Sequence, residues 1–261
     1  MTEPARAVPA LPERPEMVFF DLGDTLVRAE PSWTDIYLSV FREHGLEVDR
    51  DELLKAIHEA TLAADWELEG PFEATPEASM ALVRSFDEDI LRRLGHELAD
   101  KMFVSIEAAF ASRSAWHIYP DSVPALEALA EAGIRRGVIS NWVWGGPELL
   151  HDMELAAHFE ALVISARVGY NKPAAQIFQA ALELTGVAPE RAVHVGDSYR
   201  NDVLGARRAG ISPVLIERPS ADPARRRAQL PQGEDVPVVR DLMELVALLG
   251  LPADRVQALR A

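Results

Sequence analysis

Met17-Val18-Phe19-Phe20-Asp21-Leu22-Gly23-Asp24-Thr25 is the stretch whose reading decides the fold. A short unbroken apolar run reads as a strand buried on both faces, as in a parallel sheet covered by helices. Its carboxylate, Asp21, then falls at the strand's carboxyl end, where open α/β sheets place their ligands. Gly23 and Thr25 make the following turn tight enough for backbone amides to approach an anion. Asp21 beside such a turn fits an aspartate that attacks phosphorus. Read alone, 21–25 fits equally an ordinary strand-turn whose Asp satisfies local backbone groups.

Working outward, the same junction recurs. Arg191-Ala192-Val193-His194-Val195 is a second apolar-rich strand, ending in Gly196-Asp197-Ser198 with Asn201-Asp202 behind it. Residues 134–139 form another, ending in Ser140-Asn141. Asn171-Lys172-Pro173 opens an amphipathic stretch over 174–184, and Pro173 suits a first helical turn. Further strands are read at 161–164, 213–216 and 236–239, the last an edge strand because it holds Pro237. Helices at 122–132 and 241–249 separate and close the pattern. Strands alternating with helices indicate a parallel sheet with right-handed crossovers.

The ordered set Asp21, Ser140, Lys172 and Gly196-Asp197 resembles the haloacid dehalogenase superfamily, whose members are mostly phosphatases. The resemblance covers the chain on both sides of a long insertion. It implies a Rossmann-like parallel sheet core flanked by helices, with an inserted all-helical cap that closes over the active site. The expected division is a mobile tail at 1–16, a discontinuous core at 17–27 and 118–261, and a cap at 28–117. It further implies Asp21 as nucleophile and Lys172 as its catalytic partner. Ser140, Asn141, Lys172, Thr25 and the Leu22 amide would bind the substrate phosphate. Asp21, Asp197 and the Gly23 carbonyl would hold Mg²⁺, with Asp202 behind them.

Elementary electrostatics agrees with a cation. Like charges 4 Å apart repel by about 4 kcal/mol at an effective dielectric near 20, so clustered carboxylates facing an anionic phosphate need one. Mg²⁺ is a hard ion that takes carboxylates, phosphate oxygen and water. An Asp near its reference pKa of about 3.9 is already ionised at neutral pH and needs no partner base.

The chain departs from the family pattern at one position. A second Asp usually stands two residues after the nucleophile and protonates the leaving group; here that residue is Gly23. Asp24 serves the turn rather than replacing it, because Thr25 fixes the register. Three functions are therefore compatible with these residues. The leading one is Mg²⁺-dependent hydrolysis of a small-molecule phosphomonoester. Hydrolytic 2-haloacid dehalogenation is the alternative that needs no leaving-group acid, although Asp197 and Asp202 would repel a haloacid. A phosphate-ligand binding protein with little turnover is the third.

The insertion shows helix signals in succession and no strand-like alternation. Ser32-Trp33-Thr34-Asp35 reads as a capping box, followed by Ile36, Tyr37, Val40 and Phe41 at helical spacing. Asp49 caps a second helix, and Thr75-Pro76 starts a third carrying Met80, Val83, Phe86, Ile90 and Leu94. A fourth carries Leu98, Met102, Ile106 and Phe110. His194 reads as a satisfied core residue. Trp142 and Trp144 fit equally a substrate pocket or packing under the cap.

Composition bounds the partners. The chain has 261 residues, 48% of them hydrophobic, enough for a core plus a smaller domain. A formal charge of −16 disfavours nucleic acid and anionic membranes; the basic run Arg225-Arg226-Arg227 reads as a solvated face. Cysteine is absent, which excludes disulfides and thiol catalysis and fits a cytoplasmic protein. No stretch is apolar enough to span a bilayer, and 1–16 has no apolar signal segment. The expected partner is a small phosphorylated substrate, met by a monomer or homodimer.

Overall fold

The computed structural model describes residues 11–63, 68–218 and 234–251. Arg225-Arg226-Arg227 and residues 1–10 of the expected tail lie outside the described residues. From its start the chain forms β1 (Met17–Phe20) and β2 (Val27–Ala29). Helices α1 (Trp33–Glu43), α2 (Arg50–Ala63), α3 (Pro76–Arg93) and α4 (Asp100–Ala111) follow. Next come β3 (Trp116–Ile118), α5 (Ser122–Glu131), β4 (Arg135–Ser140) and α6 (Gly146–Asp152). After these stand β5 (Ala161–Ile164), α7 (Ser165–Val168), α8 (Ala175–Thr185) and β6 (Ala192–Gly196). The chain closes through α9 (Gly205–Ala209), β7 (Ser212–Ile216), β8 (Val238–Val239) and α10 (Leu242–Leu248).

Among the described residues the main sheet has six parallel strands in the order β5-β4-β1-β6-β7-β8. β1 lies at its centre, and all of its residues are buried. Its side chains alternate faces, as a pleated strand requires. Val18 and Phe20 join the apolar layer containing Leu126, Leu129 and Leu245, whereas Met17 and Phe19 join Ile177, Phe178 and Ala181. Burying each Phe contributes about 1.5–3 kcal/mol, so the strand that carries Asp21 is anchored from both sides. Gly137 on β4 lets Met17 and Phe19 pass closely: a Cβ there would lie 2.8 Å from the Met17 side chain. As read from the sequence, the Pro237-bearing segment lies at the edge; Val238 begins the strand and Pro237 precedes it.

Register explains why distant residues meet. Phe20 is paired with Val138 on one side and Val195 on the other. Asp21, Ser140 and Asp197 therefore leave the sheet at one end. The Asp21 amide donates to the Val195 carbonyl at 2.9 Å, carrying the alignment one residue past the strand.

Helices α1 to α4 enclose a separate apolar cluster that includes Tyr37, Phe41, Leu53, Phe86, Ile90 and Ile106. The starts of α1, α2 and α3 follow the capping signals, whereas α4 begins after Ala99 with no side-chain cap. Ser32 Oγ accepts from the Asp35 amide at 3.3 Å and donates to its carboxylate at 2.6 Å. Asp49 accepts from the amides of Asp51 and Glu52, and Thr75 from that of Ala78.

Three details differ from the sequence reading. β2 and β3 form an antiparallel ribbon at the two ends of the helical segment, where no strand is expected from the pattern. Three-residue strands are too short for a period of two to show, and long-range pairing holds them: Tyr119 N–H donates to Leu26 O, and Glu30 N–H to Ala115 O. Met80, placed on the apolar stripe of the third helix, is 46% exposed. Pro173 precedes its helix instead of opening it: the Ala174 amide donates to the Asn171 carbonyl in a turn, and α8 begins at Ala175.

Candidate active site

At the carboxyl end of the sheet, Lys172 is the organising charge. It is only 3% exposed, and its Nζ donates to Asp21 Oδ1 and to Asp202 Oδ1, at 2.6 Å in each case. Ser140 Oγ donates to the same Asp21 oxygen at 2.9 Å. Asp197 completes a cluster in which one carboxylate oxygen from each of Asp21, Asp197 and Asp202 lies within 4.8 Å of the others.

Local structure sets each position. Asp202 sits in a wide helical turn, Tyr199–Leu204, which Ser198 caps by accepting from the Asn201 amide. The Ser198 amide donates to Asp202 Oδ2 at 2.8 Å. Gly196 makes room for this carboxylate, since a Cβ there would come within 2.1 Å of Asp202 Cγ. Both amide atoms of Asn141 engage the backbone of Lys172: Nδ2 donates to its carbonyl at 3.0 Å, and Oδ1 accepts from its amide at 2.7 Å. Asn141 thus holds the lysine segment in place.

The turn after β1 is fixed from outside. Asp24 takes a left-handed backbone with φ 55°, and its amide donates to Val27 O at 2.7 Å. Its carboxylate accepts from the Tyr119 hydroxyl at 3.4 Å, so the side chain reaches beyond the turn that its backbone helps to form. Arg218 donates to the Thr25 carbonyl through Nε and Nη2, at 3.0 and 2.6 Å, and to Asp121. Its guanidinium lies 3.7 Å from the centre of the Tyr119 ring. Thr25 Oγ1 is buried with no hydrogen-bond partner among the described residues.

Gly23 faces Trp142: a Cβ added there would meet the indole edge at 3.5 Å, an ordinary contact. Trp142 packs on Trp116 with ring centres 4.8 Å apart, and the Trp144 amide donates to Ser79 on α3 at 3.0 Å. Both tryptophans therefore stand where the sheet end meets the helical segment.

The charges are unequal in kind. Burial works against ionisation of Asp202, yet Lys172 and His194 hold its carboxyl well below the usual carboxylate range. For Asp21 burial prevails and raises the carboxyl, with Lys172 opposing and Asp202 adding to the rise. Lys172 stays above its ordinary value: burial disfavours the ammonium, but Asp202 and Asp21 outweigh it. A cluster of three carboxylates around one ammonium leaves an excess of negative charge. Its donors are hard oxygens suited to a small divalent cation. The residues fit Mg²⁺.

Sequence reasoning missed two participants. His194 is read as a satisfied core residue, but its Nε2 lies 2.8 Å from Asp202 Oδ1, while Nδ1 is buried with no partner. The available signal is a polar residue in a strand buried along its length, which demands a partner. Arg218 carries no motif, and its link to Thr25 spans 193 positions.

The haloacid dehalogenase-like hydrolase family profile matches residues 15–210. The phosphoserine phosphatase of Thermus thermophilus is 30% identical over 246 residues, covering 82% of this chain and 96% of the relative. The glyceraldehyde 3-phosphate phosphatase of Methanopyrus kandleri is 31% identical over 212 residues, covering 77% of this chain and 83% of the relative. Among solved structures, L-2-haloacid dehalogenase from Xanthobacter autotrophicus superposes with a TM-score of 0.69 at 20% identity, covering 90% of this chain and 98% of that one. The chain belongs to the haloacid dehalogenase-like hydrolase family and is an enzyme of the hydrolase class.

Proposed function

We propose that this hydrolase is a Mg²⁺-dependent phosphatase of a small phosphorylated metabolite, working through an aspartyl-phosphate at Asp21. The observation that carries the reading is Lys172 held between Asp21 and Asp202, with Asp197 in the same cluster. That arrangement supplies an ionisable nucleophile, a buried cation for a phosphoryl oxygen and hard oxygen donors for a metal. The relatives named for phosphoserine and glyceraldehyde 3-phosphate support a small substrate.

In this reading an Asp21 carboxylate oxygen attacks phosphorus, and the bond from phosphorus to the leaving oxygen breaks. Water then attacks phosphorus, releasing inorganic phosphate and restoring the carboxylate. Lys172 and Ser140, already bonded to Asp21, hold the nucleophile and take the phosphoryl oxygens. Asp21, Asp197 and the Gly23 carbonyl would hold Mg²⁺, whose bound charge would offset that of the phosphoryl group. Asp202 acts behind them, because its two oxygens already accept from Lys172, His194 and the Ser198 amide. With Gly23 in place of an acid and the Asp24 carboxylate turned to Tyr119, the leaving group departs without a carboxyl proton donor from this turn.

Dehalogenation is the second reading, favoured by that missing acid, since halide leaves without a proton. Phosphate and chloride release, each with Mg²⁺ and with excess EDTA, separates the readings. Phosphate released only with Mg²⁺ supports the phosphatase. Chloride released from a 2-chloroacid in EDTA overturns it. Release of neither from a broad panel leaves a phosphate-binding protein.

A further inference from the structure

β6 is buried at every position, and His194 is the polar side chain in it. Its ring is fully shielded from solvent. An imidazole placed there loses its hydration, and an apolar residue of similar size would avoid that cost. Among the described residues the ring makes a single hydrogen bond, from Nε2 to Asp202 Oδ1 at 2.8 Å, and Nδ1 has no partner. On the packing side it meets the Phe178 ring edge-on, with centres 5.1 Å apart and planes at 89°. Among the described residues, the one hydrogen bond of this ring is therefore spent on Asp202.

Asp202 Oδ1 is also the oxygen that holds Lys172. It accepts from two buried donors at once, and the ammonium is shared in turn with Asp21. Without the imidazole, the whole charge of Oδ1 would fall on Lys172 and draw Nζ away from the nucleophile. We propose that His194 is a positioning residue that fixes the Asp202 carboxylate and thereby sets Lys172 against Asp21. The inference rests on the proposed function for its kinetic and Mg²⁺-binding readouts.

The test compares His194→Met, which keeps bulk and removes the donor, with His194→Gln, whose side-chain amide can still donate to Asp202. Three quantities are measured for each: kcat and KM for p-nitrophenyl phosphate, the Kd of Mg²⁺ by calorimetry, and the melting temperature. Partners that orient ligand groups typically contribute about 10–100-fold in activity or metal affinity. His194→Met should lose about that factor in kcat, with KM nearly unchanged and Mg²⁺ bound more weakly. Its melting temperature should be equal or higher, and His194→Gln should recover most of both losses. Wild-type kcat and Mg²⁺ affinity in His194→Met overturn the proposal. So do equal losses in the two variants, or losses that track a lowered melting temperature. If the wild type binds Mg²⁺ but releases no phosphate, the phosphatase reading fails. The Mg²⁺ Kd of the two variants then decides the role of His194 by itself.

Discussion

Asp202 at the sheet end and Asp87 inside the helical segment are equally buried, each 1% exposed, and the two regions treat their carboxylates in opposite ways. Around Asp202 the structure gathers Lys172, His194 and the Ser198 amide, so the group remains a charge. Around Asp87, among the described residues, it offers the Tyr37 hydroxyl, which donates to Oδ1 at 2.6 Å, and no partner for Oδ2. Burial, with Glu107 and Glu88 nearby, raises the Asp87 carboxyl to about 7. A protein can bury a carboxylate by giving it a cation or bury a carboxylic acid by withholding one. The α/β core takes the first course in the carboxylate cluster at the sheet end, and the helical segment takes the second among packed apolar side chains.

Removing the cation should have the largest effect. Lys172→Met leaves Asp21 and Asp202 buried without it, and uncompensated buried charge costs about 3–5 kcal/mol. The variant should melt far below wild type, or persist with a protonated carboxyl and phosphate release lowered by roughly 10³-fold. Thermal melting and phosphate release at pH 7 check this. Unchanged stability would mean that Lys172 does not balance the pair.

The next effect belongs to Asp87. Its folded carboxyl titrates near 7 and its unfolded one near 3.8, so between these values the folded state binds the extra proton. Stability must then fall as pH rises from about 4 to about 7 and level off above. The contribution is on the order of 4 kcal/mol as an upper bound. Asp87→Asn should flatten that limb of a urea-unfolding series and be more stable than wild type at pH 8. An identical slope in the variant would place the titration elsewhere.

Adding a carboxylate to the core sharpens the contrast in function. The space beside Gly23 admits a Cβ, with the Trp142 indole 3.5 Å away. Gly23→Asp should raise hydrolysis of alkyl phosphates over aryl phosphates, by about 10²-fold, the lower end for a positioned acid. Equal turnover of both classes by the wild type would show that another group supplies the proton. The smallest effect is that of Tyr37→Phe, which removes a buried hydrogen bond contributing about 1–2 kcal/mol. Since that bond holds the Asp87 carboxyl down, its loss should extend the falling limb of stability to higher pH.

The core was legible because its chemistry stands at element ends. Asp21, Ser140 and Asp197 each follow an apolar run, and parallel register brings such ends together. Lys172 was legible only through its order in the set, since a lysine before a proline has no periodic signal. The His194–Asp202 contact depends on how the turn Tyr199–Leu204 folds back over Gly196, which spacing does not encode. Asp87 was overlooked although it lies on the same helical stripe as Val83, Ile90 and Leu94. A stripe drawn only through apolar residues passes over the one acid that is packed with them.

The most direct measurement is phosphate release by Asp21→Asn beside wild type, in saturating Mg²⁺ with p-nitrophenyl phosphate. The change is nearly isosteric, and the amide can still accept from Ser140 and Lys172 while no longer acting as a nucleophile. With Asp21 as nucleophile, the variant should fold and its rate should fall to about one-thousandth of wild type or lower. A folded variant that keeps more than a few per cent, roughly, of the wild-type rate would contradict a covalent step at Asp21.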